Sequence, residues 1–232
     1  MNALLFCQFT AHLLADFIFQ PQRWCDLKEK RIISKIHFYH AIIVFVCSWV
    51  LSFSFSFSFW WAALLIALFH FVVDLTKGYL FQKKIWRKTL FFIDQTLHLA
   101  MITGIVYWFS RNQWLDFPFT ISINSVFIVF ALIACTKPAN IFIRKFMEAN
   151  DIISMNENTL LKAGRIIGSL ERIISFILIA FNQFAAVGFI IAAKSILRFR
   201  DLDTAKTEYV LIGSLLSFGI AILFGIAYQL IH

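Results

Sequence analysis

Apolar runs of roughly 18 or more residues recur along the whole chain, and each is long enough as a helix to cross a hydrocarbon core of about 30 Å. Repetition on that scale leaves few folds open. Of 232 residues 60% are hydrophobic and 15% charged, with a mean hydropathy of +0.78, which is too apolar for an ordinary soluble domain. The chain is therefore expected to be an integral membrane protein. Helices satisfy their own backbone groups in lipid, whereas a β-barrel needs many segments of about 10 alternating residues. Only "SFSFSFSFWW" at 52–61 alternates, and it stands alone. It reads as the aromatic, interfacial end of a helical hairpin.

Apolar runs set against polar breaks place spans at about 2–20, 38–57, 59–77, 89–109, 121–138, 165–181, 183–198 and 208–231. The expected fold is all-α: a polytopic transmembrane helix bundle of about eight spans, with residues 1–232 forming a single membrane domain. The first run lacks a basic leader and a small-residue cleavage site and carries Asp16, so it is expected to stay as a permanent span. Basic residues test the count, because Lys and Arg collect in cytoplasmic loops. They alternate as required. The first connection holds Arg23, Lys28, Lys30, Arg31 and Lys35, and the third holds Lys77, Lys83, Lys84, Arg87 and Lys88, while the second has none. The fifth and seventh are basic again, the fourth has only Arg111 and the sixth nothing. Both termini are then expected outside the cytoplasm.

The net charge of +8 follows from this topology and from attraction to anionic head groups, so membrane lipids are the expected partners and nucleic acid is not. Cys7, Cys25, Cys47 and Cys135 show no metal-finger or redox spacing. The longest soluble piece, 139–164, falls on the cytoplasmic side as a connector between the fifth and sixth spans. Its first half fits a short amphipathic helix, with Ile141, Phe142, Phe146 and Met147 on the oily side and Arg144, Lys145 and Glu148 on the wet side. A plain linker is the alternative. In either form it is the segment available to a cytosolic protein partner.

Ionisable residues inside the spans carry the chemistry. His12 and Asp16 in "HLLAD", His70 and Asp74 in "HFVVD", and Asp94 and His98 in "DQTLH" share one spacing of four. Residues four apart lie on one helix face, so each pair can aim two ligands at one point. His40 adds a fourth imidazole. With the topology above, all seven fall in the cytoplasmic half of their spans, in one layer. Buried groups of this kind cost several kcal/mol each unless paired or metal-bound. Four His and three Asp suit two divalent ions, zinc first, with manganese or iron as alternatives. Each pair by itself also reads as a hydrogen-bonded clamp between helices, and the set as a proton relay. His37 reads as interfacial and His232 as terminal.

Lys77, three residues after Asp74, either neutralises that carboxylate, grips a phosphate, or snorkels to the head groups. In "GRIIGSLERIISF", Glu171 and Arg172 enter the sixth span with Arg165 about two turns earlier. Arg172 could balance the acidic cluster or, with Arg165, hold an anionic substrate, and Glu171 could serve as a base or further ligand. A structural Glu and Arg network is the plainer reading. Gly164 and Gly168 are spaced for close approach of another helix.

Taken together, "HLLADFIFQ", "HFVVDLTKGY", "FFIDQTLH", "GRIIGSLER", "AAKSILRF" and "EYVLIGSLLS" resemble a bacterial membrane family catalogued as domain of unknown function 3307, over nearly the whole chain. The resemblance implies a bacterial inner-membrane protein and no particular activity. Residue usage is also similar to that of membrane-bound metal-dependent hydrolases as a class, which is analogy. The leading expectation is a metal-dependent hydrolase of a lipid or phosphoester head group at the cytoplasmic leaflet. Asp94 and Glu171 are its expected catalytic groups, and Lys77, Arg165 and Arg172 its substrate holders. An ion or proton transporter, or a non-catalytic membrane sensor or anchor, are the alternatives.

Overall fold

A computed structural model of the chain describes residues 2–30, 33–112, 121–152, 158–198 and 204–231. The described residues form helices joined by short turns, with no strand among them. They fall into two compact units, Met1–Phe130 and Ala131–His232. Lys35–Ser52, Phe57–Gln82, Leu90–Arg111 and Glu208–Ile231 are each long and apolar enough to cross a membrane, and two bent helix pairs raise the count to at most six.

In the first unit, α1 (Asn2–Leu13) widens into a π-helical turn over Leu14–Ile18, closed by the Phe19 N–H donating to the Leu14 carbonyl at 2.8 Å. Pro21 then ends the helix, because it lacks an N–H and disfavours the α conformation at Gln20. The chain bends by 86° into α2 (Gln22–Lys30). From there α3 (Lys35–Ser52) and α4 (Trp60–Gln82) form a hairpin, and α5 (Leu90–Arg111) packs on α4 and α1. The "SFSFSFSF" stretch makes the hairpin turn, as expected. Ser52 and Ser56 are buried, a 3-10 turn spans Phe57–Phe59, and the Phe59 ring meets Phe109 edge-on at 4.8 Å.

α4 and α5 each bury a stripe with His and Asp toward one end and mainly apolar residues toward the other. On α4 the buried positions run Ala62, Ala63, Ile66 and Ala67 and then His70, Asp74 and Gly78. Small alanines let the helices close on one another by van der Waals packing, the main attraction left in lipid. The opposite faces, with Ile42, Val46, Val50, Leu64, Leu68 and Val72, are exposed and apolar. Such a surface is consistent with a setting in hydrocarbon. His37, expected at the interface, is instead buried and caps the start of α3, its Nδ1 accepting from the Ser34 N–H at 3.2 Å.

In the second unit, α6 (Ile123–Ala134, which begins in the first unit) meets α7 (Lys137–Ala149) at a 50° bend, with Pro138 in the first turn of α7. The expected fifth span, 121–138, is therefore broken at its end. The amphipathic helix expected over the start of the connector is present as α7, with Met147 buried and Arg144 and Glu148 exposed. Residues 153–157 of the connector, and His232, lie outside the described residues. Next come α8 (Asn158–Ala180), α9 (Phe184–Arg198) and α10 (Thr204–Ile231), with α8 packed along α10. Asn182, at φ 61°, ends α8 in a Schellman motif: its N–H donates to Ile179 and that of Gln183 to Leu178. Asn tolerates this left-handed conformation better than most residues.

Gly164 does not take the packing role its spacing implied, since a Cβ there would have nothing within 4 Å. The close approach is at Gly225 on α10, where a Cβ would lie 2.5 Å from Cγ2 and 2.7 Å from Cβ of Ile179. Ile179 cannot rotate its own Cβ away. Gly225→Ala should therefore push α8 and α10 apart at a cost of about 1–3 kcal/mol, seen as a lower unfolding temperature in detergent. An unchanged midpoint would contradict the packing.

Candidate metal centre

All seven residues of the three pairs and His40 come together in the first unit. Asp16 reaches the site from the π-helical turn of α1, His40 from α3, His70 and Asp74 from α4, and Asp94 and His98 from α5. The four imidazoles are almost completely buried. A π-helical turn inserts a local bulge, a device frequent at functional sites.

Around Asp16 Oδ1, His40 Nε2 lies at 3.1 Å and His70 Nε2 at 3.3 Å, and the two nitrogens are 3.0 Å apart. Asp74 Oδ2 stands 3.7 Å from His70 Nε2 and 3.9 Å from His40 Nε2. A tetrahedral zinc ion with bonds near 2.0–2.1 Å separates its ligand atoms by about 3.3 Å. The edges match that figure to within several tenths of an ångström. Asp74, Asp94 and His98 also offer ligand atoms within 4.8 Å of one another, as do His12, Asp16 and His70. Asp74 thus belongs to both the His40 and the His98 groups, the place of a bridging carboxylate between two ions.

Hydrogen bonds fix which imidazole nitrogens are bare. His98 Nδ1 donates to the Asp94 carbonyl at 2.9 Å, which leaves Nε2 as a lone pair with no partner. His12 Nε2 donates to Gln95 Oε1 at 3.2 Å, which likewise leaves Nδ1 bare, 3.9 Å from Asp16 Oδ1. Two acceptors face each other there, an arrangement that either a metal ion or a proton on the imidazole would satisfy. Asp94 Oδ1 is a further buried atom without a partner. The outer nitrogens of His40 and His70 also lack a protein partner, where metal-bound imidazoles ordinarily have one. Beside His70, a void of about 10 Å³ lined by Gln8, His12 and Ser48 admits one water molecule.

Two lysines offset part of the negative charge. Lys77 turns into the site and donates to Asp94 Oδ2 at 2.7 Å, so it neutralises Asp94 and not Asp74. Lys28, from α2, is buried and forms an ion pair with Asp74 Oδ2. Gln20, with its amide turned to satisfy both ends, donates to the Asp16 carbonyl at 3.2 Å and accepts from Lys28 Nζ at 2.9 Å. Gln95 donates to Asp94 Oδ2 at 3.1 Å while holding His12. The sequence reading missed Lys28, Gln20 and Gln95 as site residues. Only Gln95 left a signal, as the neighbour of Asp94 within "DQTLH".

Arg165, Glu171 and Arg172 belong to the second unit. Arg172 is buried at 1% exposure and donates through Nε to the Cys135 carbonyl at 2.7 Å, through Nη1 to Ser217 at 2.8 Å, and through Nη2 to Asn140 at 2.6 Å. It therefore caps the carbonyl end of α6, whose helix dipole favours a cation. Glu171 forms an ion pair with Lys194, and the Arg165 carbonyl accepts from Ser169 at 3.0 Å. Each of these partners lies within the same unit.

Residues 4–129 match the family model described as "Protein of unknown function (DUF3307)", which is more than half of the chain. The chain belongs to the DUF3307 family. No curated protein and no solved structure matches it. The DUF3307 match contains every residue of the buried cluster as well as Lys28, Lys77 and Gln95. It stops short of the second unit, so "GRIIGSLER", "AAKSILRF" and "EYVLIGSLLS" lie outside it.

Proposed function

We propose that this DUF3307 protein is a metal-dependent hydrolase of a lipid or phosphoester head group, holding one or two ions and acting at the cytoplasmic leaflet of a bacterial inner membrane. Eight spans with both termini outside complete this reading, on the alternation of basic loops. The observation that carries it is the set of buried ligand atoms of Asp16, His40, His70 and Asp74 spaced for a tetrahedral ion, beside two imidazole nitrogens, of His12 and His98, left bare by their own hydrogen bonds. Zinc fits these donors first, and manganese or iron would accept them as well. Bound ions would lower the pKa of a coordinated water to about 7 and steady the charge on phosphoryl oxygens. Asp94, whose Oδ1 has no hydrogen-bond partner, would take the water's proton.

The test is hydrolysis of phosphatidate and of soluble phosphomonoesters by the zinc- or manganese-loaded protein in detergent, wild type beside Asp94→Asn. Asp94→Asn keeps the shape of the side chain and should lower turnover at least about 100-fold. Equal rates in the two proteins would remove Asp94 from the chemistry.

A transporter reading draws on one observation. Beyond His12, buried Gln8 donates to Ser52 Oγ at 2.8 Å and to the Ser48 carbonyl at 3.1 Å, which continues the polar stripe away from the cluster. Zinc or proton flux in proteoliposomes, without hydrolysis, would decide for it.

A further inference from the structure

The side chains of the centre are not uniformly enclosed. His12, His40, His70, His98 and Asp94 are at most 2% exposed, while Asp16, Asp74 and Lys28 stand at 9–10% and Lys77 at 36%. The open edge is therefore the lysine edge. Asp74 and Asp94, the partners of Lys28 and Lys77, present oxygens within 4.8 Å of each other, so both ammonium groups stand against one pair of neighbouring carboxylates. Lys28 is fixed there by Gln20, and α2 lies close on α4, where a Cβ on Gly78 would meet the Lys28 carbonyl at 3.4 Å.

Charge makes the occupancy of this edge conditional. Asp16, Asp74 and Asp94 against Lys28 and Lys77 leave one net negative charge with the imidazoles neutral, so without metal the centre repels anions. One divalent ion reverses the sign. Were the carboxylates to turn to the ion, both ammonium groups would lose their counter-charge, a loss that is costly for Lys28, whose side chain is only 10% exposed. A tetrahedral dianion offers oxygens to two ammonium groups and to the metal at once.

We infer that Lys28 and Lys77 form an anion-binding edge that takes a phosphate dianion, free or esterified, only after the centre has loaded metal. This rests on the metal-centre reading and adds to it a substrate class, an order of binding and a role for Lys28. Lys28 acts as a point charge on the phosphoryl oxygens.

The experiment measures binding of inorganic phosphate to the full chain in detergent by calorimetry, with and without zinc, for wild type, Lys28→Met, Lys28→Arg and the loop control Lys83→Met. Zinc content is assayed in each. Phosphate should bind the zinc-loaded wild type and the Lys83→Met control. Binding should weaken at least about tenfold in Lys28→Met with zinc retained, and recover in part in Lys28→Arg. Displacement of the phosphate by phosphatidate in nanodiscs places it on a lipid, and displacement by glycerol phosphate alone places it on a soluble ester. Both uphold the edge, and displacement by neither overturns it. Equal phosphate binding without zinc, or in Lys28→Met, also overturns the inference while leaving the metal centre standing. Loss of zinc from Lys28→Met would make Lys28 a support of the ligands and overturn its role toward the anion. A wild type that binds no zinc removes the reading beneath.

Discussion

Arg172→Met should destabilise the second unit by more than about 3 kcal/mol, because each buried acceptor that loses a charged donor costs about 1–3 kcal/mol. The buried Cys135 carbonyl and the half-buried Asn140 Oδ1 would be left without theirs. Methionine fills much of the volume, so the loss reports the hydrogen bonds and not a cavity. Arg172→Lys should fall between, since an ammonium cannot reproduce the planar fork that reaches Cys135, Asn140 and Ser217 together. Thermal unfolding in detergent measures both. Midpoints unchanged from wild type would contradict the capping role.

The second large effect is expected at Asp16. Asp16→Asn keeps an oxygen for the hydrogen bond with His40 Nε2 but removes the charge that His40 and His70 converge on. Metal affinity should fall by more than about 100-fold, beyond the 10–100-fold that loss of an outer-shell partner alone produces. The fold should survive, because α1 remains packed on α3 and α5. Competitive titration with a zinc-chelating dye reads the change. An affinity within a few-fold of wild type would remove Asp16 from the ligand set.

The pairs were legible because a helix brings residues four apart onto one face whatever surrounds it, and His40 because depth in the membrane can be counted from a span's end. Lys28 was not legible. It comes after an 86° bend, and helical periodicity does not carry across a turn whose angle is set by a π-helical bulge and Pro21. Arg172 stood out as a buried charge, but one of its partners is a backbone carbonyl, which has no residue type to read, and two others, Asn140 and Ser217, are polar residues 32 and 45 positions away. Glycine spacing pointed to Gly164 and Gly168, and of these only Gly168 has close neighbours, Arg172 Nη1 at 3.3 Å and Ser217 Oγ at 3.8 Å, while the tightest contact lies at Gly225, because a spacing rule does not say which face meets a neighbour. The helices themselves came from apolar length. Their orientation was harder to read, since a surface facing lipid is as apolar as the core, and only the polar end of each stripe marks the inside.

The most direct measurement is metal analysis of the purified wild-type protein after zinc loading, with X-ray absorption at the zinc edge and the His70→Ala/Asp74→Ala double variant beside it. The account predicts one or two ions per folded wild-type chain, a shell of nitrogen and oxygen at about 2.0–2.1 Å with imidazole scattering and no sulfur, and loss of the ions from a variant that still elutes as a folded species. A wild type that holds no zinc, manganese or iron, or a variant that holds the metal equally well, would contradict it and leave the cluster as a hydrogen-bonded network between helices.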